Sequence, residues 1–237
     1  MKTPRLFQGF LFFAASVLSA AAAFESAQLL PDNVMPQFPS AMLMDGVTQG
    51  RAVIAVTIDA TGRVRDTLPL AYSHLRFART SEEALRDWRF APARYDGQAV
   101  PVQVELNFDY TAEGAVITSN ITNHFLFDRF DNIMGGTLVY RPGKPTQLDR
   151  PPVRVSGTAP QYARAAAKDG LQGRVRVRFY IDEKGEVRQP AVASDAHPYL
   201  AEQAVNAVRE WKFEPVTSHG QPVLVQAEQE FDFGGDR

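Results

Sequence analysis

In residues 174–181, apolar and polar side chains alternate. Val175, Val177, Phe179 and Ile181 share one parity, and Arg174, Arg176, Arg178 and Tyr180 the other. A period of two is that of a strand with one buried and one wet face. Asp182 to Gly185 reads as a turn, since Gly tolerates the positive φ of tight turns, and residues 186–192 read as the returning strand. The period then changes. Ala201, Ala204, Val205, Val208 and Trp211 recur at helical spacing and form one apolar stripe. Pro198 sits near the start of this helix, where a missing N–H costs little, and Pro215 marks its end. Residues 217–220 form a loop. Residues 221–233 predict a long last strand with Val223, Val225, Ala227, Phe231 and Phe233 on one face. Upstream, residues 160–168 predict a short Ala-rich helix closed by Gly170.

The same succession occurs earlier in the chain. Ala52, Ile54, Val56 and Ile58 alternate, Asp59 to Gly62 turns, Ala78, Ser81, Leu85 and Trp88 make a helical stripe, and residues 100–110 alternate again. Aligning residues 50–110 with residues 173–233 at a constant offset of 123 gives 22 identities in 61 positions. Trp88, Phe90 and Pro92 fall on Trp211, Phe213 and Pro215. A repeat of about 80 residues exceeds a solenoid unit and suits a small domain. The expected fold class is α+β: two tandem copies of a small module, each an antiparallel three-stranded sheet with helices packed on one face.

Composition narrows the function. At 45% hydrophobic and 22% charged residues, with a net charge of −2, the chain offers no electrostatic footprint for nucleic acid. Lys2 and Arg5, the apolar residues 7–18 and the alanines at 20–23 read as a signal peptide, residues 1–23, directing export to the periplasm. A retained inner-membrane anchor is the less favoured reading of that segment. The chain has no cysteine, so thiol catalysis, disulfides and thiolate metal sites are excluded.

The ordered set Pro36 to Phe38, Gly50 before the alternating run, Ile58-Asp-x-x-Gly62, Trp88-x-Phe-x-Pro92, Gly97-x-x-Val100 and Phe108 recurs in the second copy, where the run opens as Gly173-x-Val-x-Val177. It resembles the C-terminal domain of TonB, the periplasmic end of an energy transducer that contacts outer-membrane receptors; the TolA domain is similar. The resemblance covers residues 31–112 and 144–234, with residues 113–143 as a connector. It implies a protein-binding module of the cell envelope that recruits a receptor peptide by strand pairing, in the context of transport. The transducer's Pro-rich spacer is not matched, because the 16 prolines are scattered.

The candidate partner-binding residues lie on the two last strands: Val223, Val225, Ala227, Gln229 and Phe231 in copy two, and Val100, Val102 and Val104 in copy one. The expected partner is an envelope or outer-membrane protein, held by β-augmentation. The alternative is a structural or assembly protein whose two copies pair with each other or form a homodimer. Arg174, Arg176 and Arg178 predict cross-strand ion pairs with Glu228, Glu230 and Asp232 if the first and last strands are neighbours. Copy one has Val53 and Ala55 where copy two has Arg176 and Arg178. An uncharged outer face there predicts a cover, and the apolar residues 120–140 are one candidate.

An enzyme is not expected, nor a small-molecule substrate. No cofactor, metal or catalytic residue is assigned. His74 and His197 occupy matching positions before the main helices, which favours a role in the fold. Asp195, His197 and Asp182 lack metal-ligand spacing, and Asp59 and Asp182 read as turn residues.

Overall fold

The computed structural model describes residues 24–95, 97–120, 138–162, 170–193 and 196–234. The signal segment, the helix expected at residues 160–168 beyond Tyr162, and the connector from 121 to 137 lie outside them.

Copy one runs α1 (Ser40–Met44), β1 (Gln49–Ile58), β2 (Val64–Tyr72), α2 (Leu75–Leu85), β3 (Val102–Thr111) and β4 (Gly114–Asn120). Copy two runs β5 (Gly173–Ile181), β6 (Val187–Val192), α3 (Pro198–Arg209) and β7 (Val225–Phe233). The main sheets are antiparallel, in the orders β2-β1-β3-β4 and β6-β5-β7.

The α+β class holds, and the second main sheet has the three strands expected. The first has four. Residues 114–120, which the sequence reading left in the connector, fold back on β3 through a tight turn at Ala112 and Glu113. Val116, Ile117 and Thr118 supply the β-branched residues such a strand favours.

The repeated residues do the same work twice. The Asp59 carboxylate accepts the N–H groups of Thr61 and Arg63 at 2.8 and 3.0 Å, and Asp182 accepts those of Lys184 and Glu186 at 3.0 and 2.9 Å. Led by the Thr61 hydroxyl, these bonds hold Asp59 well below the ordinary carboxylate range. Gly62 and Gly185 close the turns at φ of +79° and +81°. A Cβ would stand 1.9 Å from the Phe90 carbonyl oxygen in one and 2.0 Å from that of Phe213 in the other. His74 and His197 cap the main helices, accepting from the backbone N–H of Arg76 at 3.1 Å and of Tyr199 at 3.2 Å through Nδ1.

Each sheet packs one face on its helix. The first core gathers Ile54, Ile58, Phe77, Leu85, Trp88 and Phe108; the second gathers Val177, Phe179, Leu200, Val208, Trp211 and Val225. Each tryptophan also ties down the opening segment of its own module. Trp88 donates through Nε1 to the Val34 carbonyl at 2.9 Å, and Trp211 to that of Thr158 at 2.8 Å. On α3 the buried positions are Leu200, Ala204 and Val208. The expected stripe was turned slightly: Ala201 and Val205 sit at its margin and line a cleft towards copy one.

The two copies share a third apolar cluster. Val53 and Ala55, on the outer face of the first sheet, are buried with Leu68, Leu70 and Ala71 of the same sheet and with Tyr180 and Leu224 of copy two. Leu138 and Tyr140 pack at its edge, and the Tyr140 ring stacks on Tyr72 at a centroid distance of 4.8 Å. Among the described residues the cover comes from Tyr180 and Leu224 of the other module and from Leu138 and Tyr140 of the expected segment; residues 121–137 lie outside the described residues.

A bulge in β6 shapes the polar part of this joint. Pairing slips between Arg178 and Tyr180, so Gln189 and Pro190 oppose one residue of β5. Gln189 adopts φ +47° and is buried. Its Nε2 donates to the Ala55 carbonyl at 3.0 Å, and its Oε1 accepts from Gln103 at 2.8 Å. Arg188 pairs with Asp66 at 3.2 Å, and the Tyr140 hydroxyl donates to Glu183.

Candidate strand-pairing interface

On a strand, the N–H and C=O of one residue point the same way in the plane of the sheet, and those of the next residue point the opposite way. The Ala193 N–H donates to the Arg176 carbonyl at 2.8 Å. The backbone of Arg176 therefore faces β6, and those of Val175, Val177 and Phe179 face β7. Through the register Val175↔Phe231, Val177↔Gln229, Phe179↔Ala227 and Ile181↔Val225, the odd-numbered residues of β7 direct their backbone at β5. The outward donors and acceptors belong to Gln226, Glu228, Glu230 and Asp232. Among the described residues no strand pairs with them. One outward carbonyl, that of Glu230, accepts from Gln229 Nε2 at 2.7 Å.

The candidate residues of copy two thus lie on the strand, but with their backbone turned inward. Val225 is buried, and Ala227 and Phe231 pack against the core. Gln229 is exposed. Val223 precedes the strand and donates its N–H to the Val216 carbonyl at 2.9 Å. The even-numbered residues are not legible from the sequence, because side-chain patterning reveals which face a residue takes, not which strand its backbone addresses.

The expected charge ladder is present. Arg174 lies opposite Asp232, Arg176 opposite Glu230 and Arg178 opposite Glu228. Arg174 reaches Asp232 at 3.5 Å and Glu230 at 3.9 Å, while Arg176 and Arg178 both reach Glu228 at 3.4 Å. Exposed pairs of this kind contribute about 0–1 kcal/mol each. Their main effect is on register, since a one-residue slip would set arginines beside apolar side chains.

Copy one presents a different edge. The Ala112 N–H donates to the Thr48 carbonyl at 3.0 Å, so the even-numbered residues of β3 direct their backbone at β1. Val102 and Val104 are among these. The outward groups belong to odd-numbered residues, and β4 covers them from Glu105, opposite Asn120, to Thr111, opposite Gly114. Beyond that stretch only Gln103 has an outward N–H, because Pro101 has none. Val100 pairs with Ala93 in a separate hairpin. The same position in the two copies is occupied by the chain's own strand in one and, among the described residues, is unpaired in the other.

Among the described residues no group of three or more His, Asp or Glu side chains is placed to hold a metal ion. Asp195 and His124 lie outside the described residues, and His197 is engaged as a helix cap. Asp149 holds the loop at residues 217–220 by accepting the N–H groups of His219 and Gly220, both at 2.9 Å.

Two α+β modules of one design, with β3 beside β1 in one and β7 beside β5 in the other, define a class of small antiparallel domains. The family model described as the Gram-negative bacterial TonB protein C-terminal matches residues 35–112 and 158–234, and the chain belongs to that family. One curated relative is Protein TonB of Vibrio cholerae, 31% identical over 81 residues, which are 34% of this chain and 33% of that protein. The chain thus spans about a third of the length of that relative. A solved relative is the solution NMR structure of Pseudomonas aeruginosa TonB CTD. It is 31% identical, covers 38% of this chain and 91% of its own, and has a TM-score of 0.32. Among the described residues no helix is long and apolar enough to cross a membrane.

Proposed function

We propose that this protein is a periplasmic binding module that recruits an extended segment of an outer-membrane or envelope protein onto the outer edge of β7. The carrying observation is that edge itself: Gln226, Glu228, Glu230 and Asp232 direct their backbone groups outward, and no described strand answers them. An extended peptide satisfies such groups by adding a strand. The arginines and acidic residues of β5 and β7 neutralise one another on the exposed face, so the partner strand needs no particular net charge. Family membership supports the envelope setting and a protein partner rather than a substrate or cofactor. Modules at residues 31–112, extended by β4 (Gly114–Asn120), and 144–234 fit this role. The second reading, a structural protein with pre-assembled copies, is favoured by the apolar joint between them.

A Glu230→Pro substitution tests the first reading. It removes one outward donor and leaves the β5–β7 ladder intact, and proline is tolerated at such edge positions. With the fold verified by circular dichroism, cross-linked envelope partners should be retained by the wild type and by Glu230→Gln and lost by Glu230→Pro. Equal capture by all three would reject pairing at β7.

A further inference from the structure

We infer that the cleft between the two modules is a binding site for a short apolar peptide with both termini free. The cleft has a volume of about 600 Å³, within the range of small-ligand sites, which favour domain junctions. Its apolar lining comes from both copies: Val102 and Val104 of β3, Ala191 and Val192 of β6, and Ala201 and Val205 of α3.

Strand addition is disfavoured here. Pro101, just before β3, and Pro190, in the bulge of β6, both line the cleft and have no N–H to offer. A guest must therefore be held by side chains. The polar ones on the strands are Thr57, Gln103, Glu105 and Arg178. Three of them are engaged within the protein. Gln103 is bonded to Gln189, and Glu105 meets the Tyr180 hydroxyl and the charge of Arg178, which also reaches Glu228. The polar groups on α3 are Glu202, Asn206 and Arg209. Glu202 has no hydrogen bond or ion pair among the described residues. Arg209 donates one N–H to Asn206 at 2.9 Å and keeps the rest of its guanidinium donors.

The helix wall has a polarity. Glu202, Val205 and Arg209 fall at i, i+3 and i+7, on one face of α3. The two charges stand about 10 Å apart along the axis, two turns at about 1.5 Å per residue. The wall thus runs acid, apolar, base. Three extended residues span about 10 Å as well. A free tripeptide carries a cation at one end and an anion at the other. Its amino terminus fits Glu202 and its carboxylate fits Arg209, with apolar side chains between Val205 and the β3 wall. An amphiphile with a single charge would leave one of the two unanswered, and a longer extended peptide would carry one terminus past its partner.

Titration of the purified protein with trivaline, followed through its backbone amide NMR signals, is the test. Saturable shifts are expected at Ala201 and Val205. N-acetyl-trivaline and trivaline amide should each bind about two- to fivefold more weakly, the loss of one exposed ion pair. Glu202→Gln should erase the penalty of acetylation and keep that of amidation, and Arg209→Gln should do the reverse. Glu230→Pro should leave trivaline binding unchanged, which separates this cleft from the edge of β7. Absence of saturable shifts in the cleft would overturn the proposal. So would capped peptides that bind as well as the free one, penalties that persist in both variants, or loss of binding in Glu230→Pro.

Discussion

Gln189 donates its side-chain amide to the carbonyl of Ala55 across 3.0 Å, joining the second module to the central strand of the first. It does so from a left-handed backbone conformation that a non-glycine residue adopts at a cost of about 1 kcal/mol. The bulge turns the amide into the joint, where Gln103 and Ala55 satisfy both ends. A one-residue slip in one hairpin thereby converts a surface position into a bolt between domains.

Replacing this bolt leaves the Gln103 amide and the Ala55 carbonyl short of a partner. Gln189→Ala is expected to lower stability by about 1–3 kcal/mol. In urea titrations monitored at Trp88 and at Trp211 separately, the two modules should unfold less coincidently than in the wild type.

Glu105 supplies a pH dependence. Burial in the joint pushes its pKa up to about 7, against the Tyr180 hydroxyl at 3.4 Å and the charge of Arg178, which pull it down. A raised folded pKa means the native state favours the neutral acid. The stabilisation is fully present below the unfolded value near 4.5 and is lost as pH rises through about 7. The wild type should lose up to about 3 kcal/mol relative to Glu105→Gln between pH 4.5 and pH 8. Parallel melts of the two proteins across that range measure the difference; curves of equal shape would remove Glu105 from the account.

The turn glycines are expected to be intolerant. At Gly62 or Gly185 a Cβ would collide with a backbone oxygen and also strain a positive φ. Gly185→Ala should cost about 3 kcal/mol or more, in the upper range of single-site effects, read as a lower denaturant midpoint.

The charge ladder should matter far less. Glu228 meets two arginines, yet all three side chains are solvated to some degree. Glu228→Ala is expected to cost under about 1 kcal/mol, shrinking further in high salt.

Much of this fold was legible in the sequence because it is written twice. The period-two runs, the Asp-x-x-Gly turns, the two tryptophans and the alternating arginines all act locally or pair within one module, and the structure bears them out. β4 was not legible because it follows the end of the repeat, so no second copy highlighted it. The uncharged pair Val53 and Ala55 announced a cover; that Tyr180 and Leu224 provide it depends on how two modules dock, which no local pattern encodes. The odd-numbered residues of β7 drew notice through their apolar side chains. The pairing groups belong to their charged neighbours, because side chain and backbone alternate along perpendicular directions.

The strand laid over β3 has a consequence for valency. A tethered segment competes at an effective concentration that reaches the millimolar range for short linkers, and β4 is joined to β3 by only Ala112 and Glu113. A free peptide would have to outcompete an occupant tethered two residues away. On the proposed reading the edge of β7 is the one left to take a peptide, since β4 already covers the equivalent edge of β3 from Glu105 to Thr111.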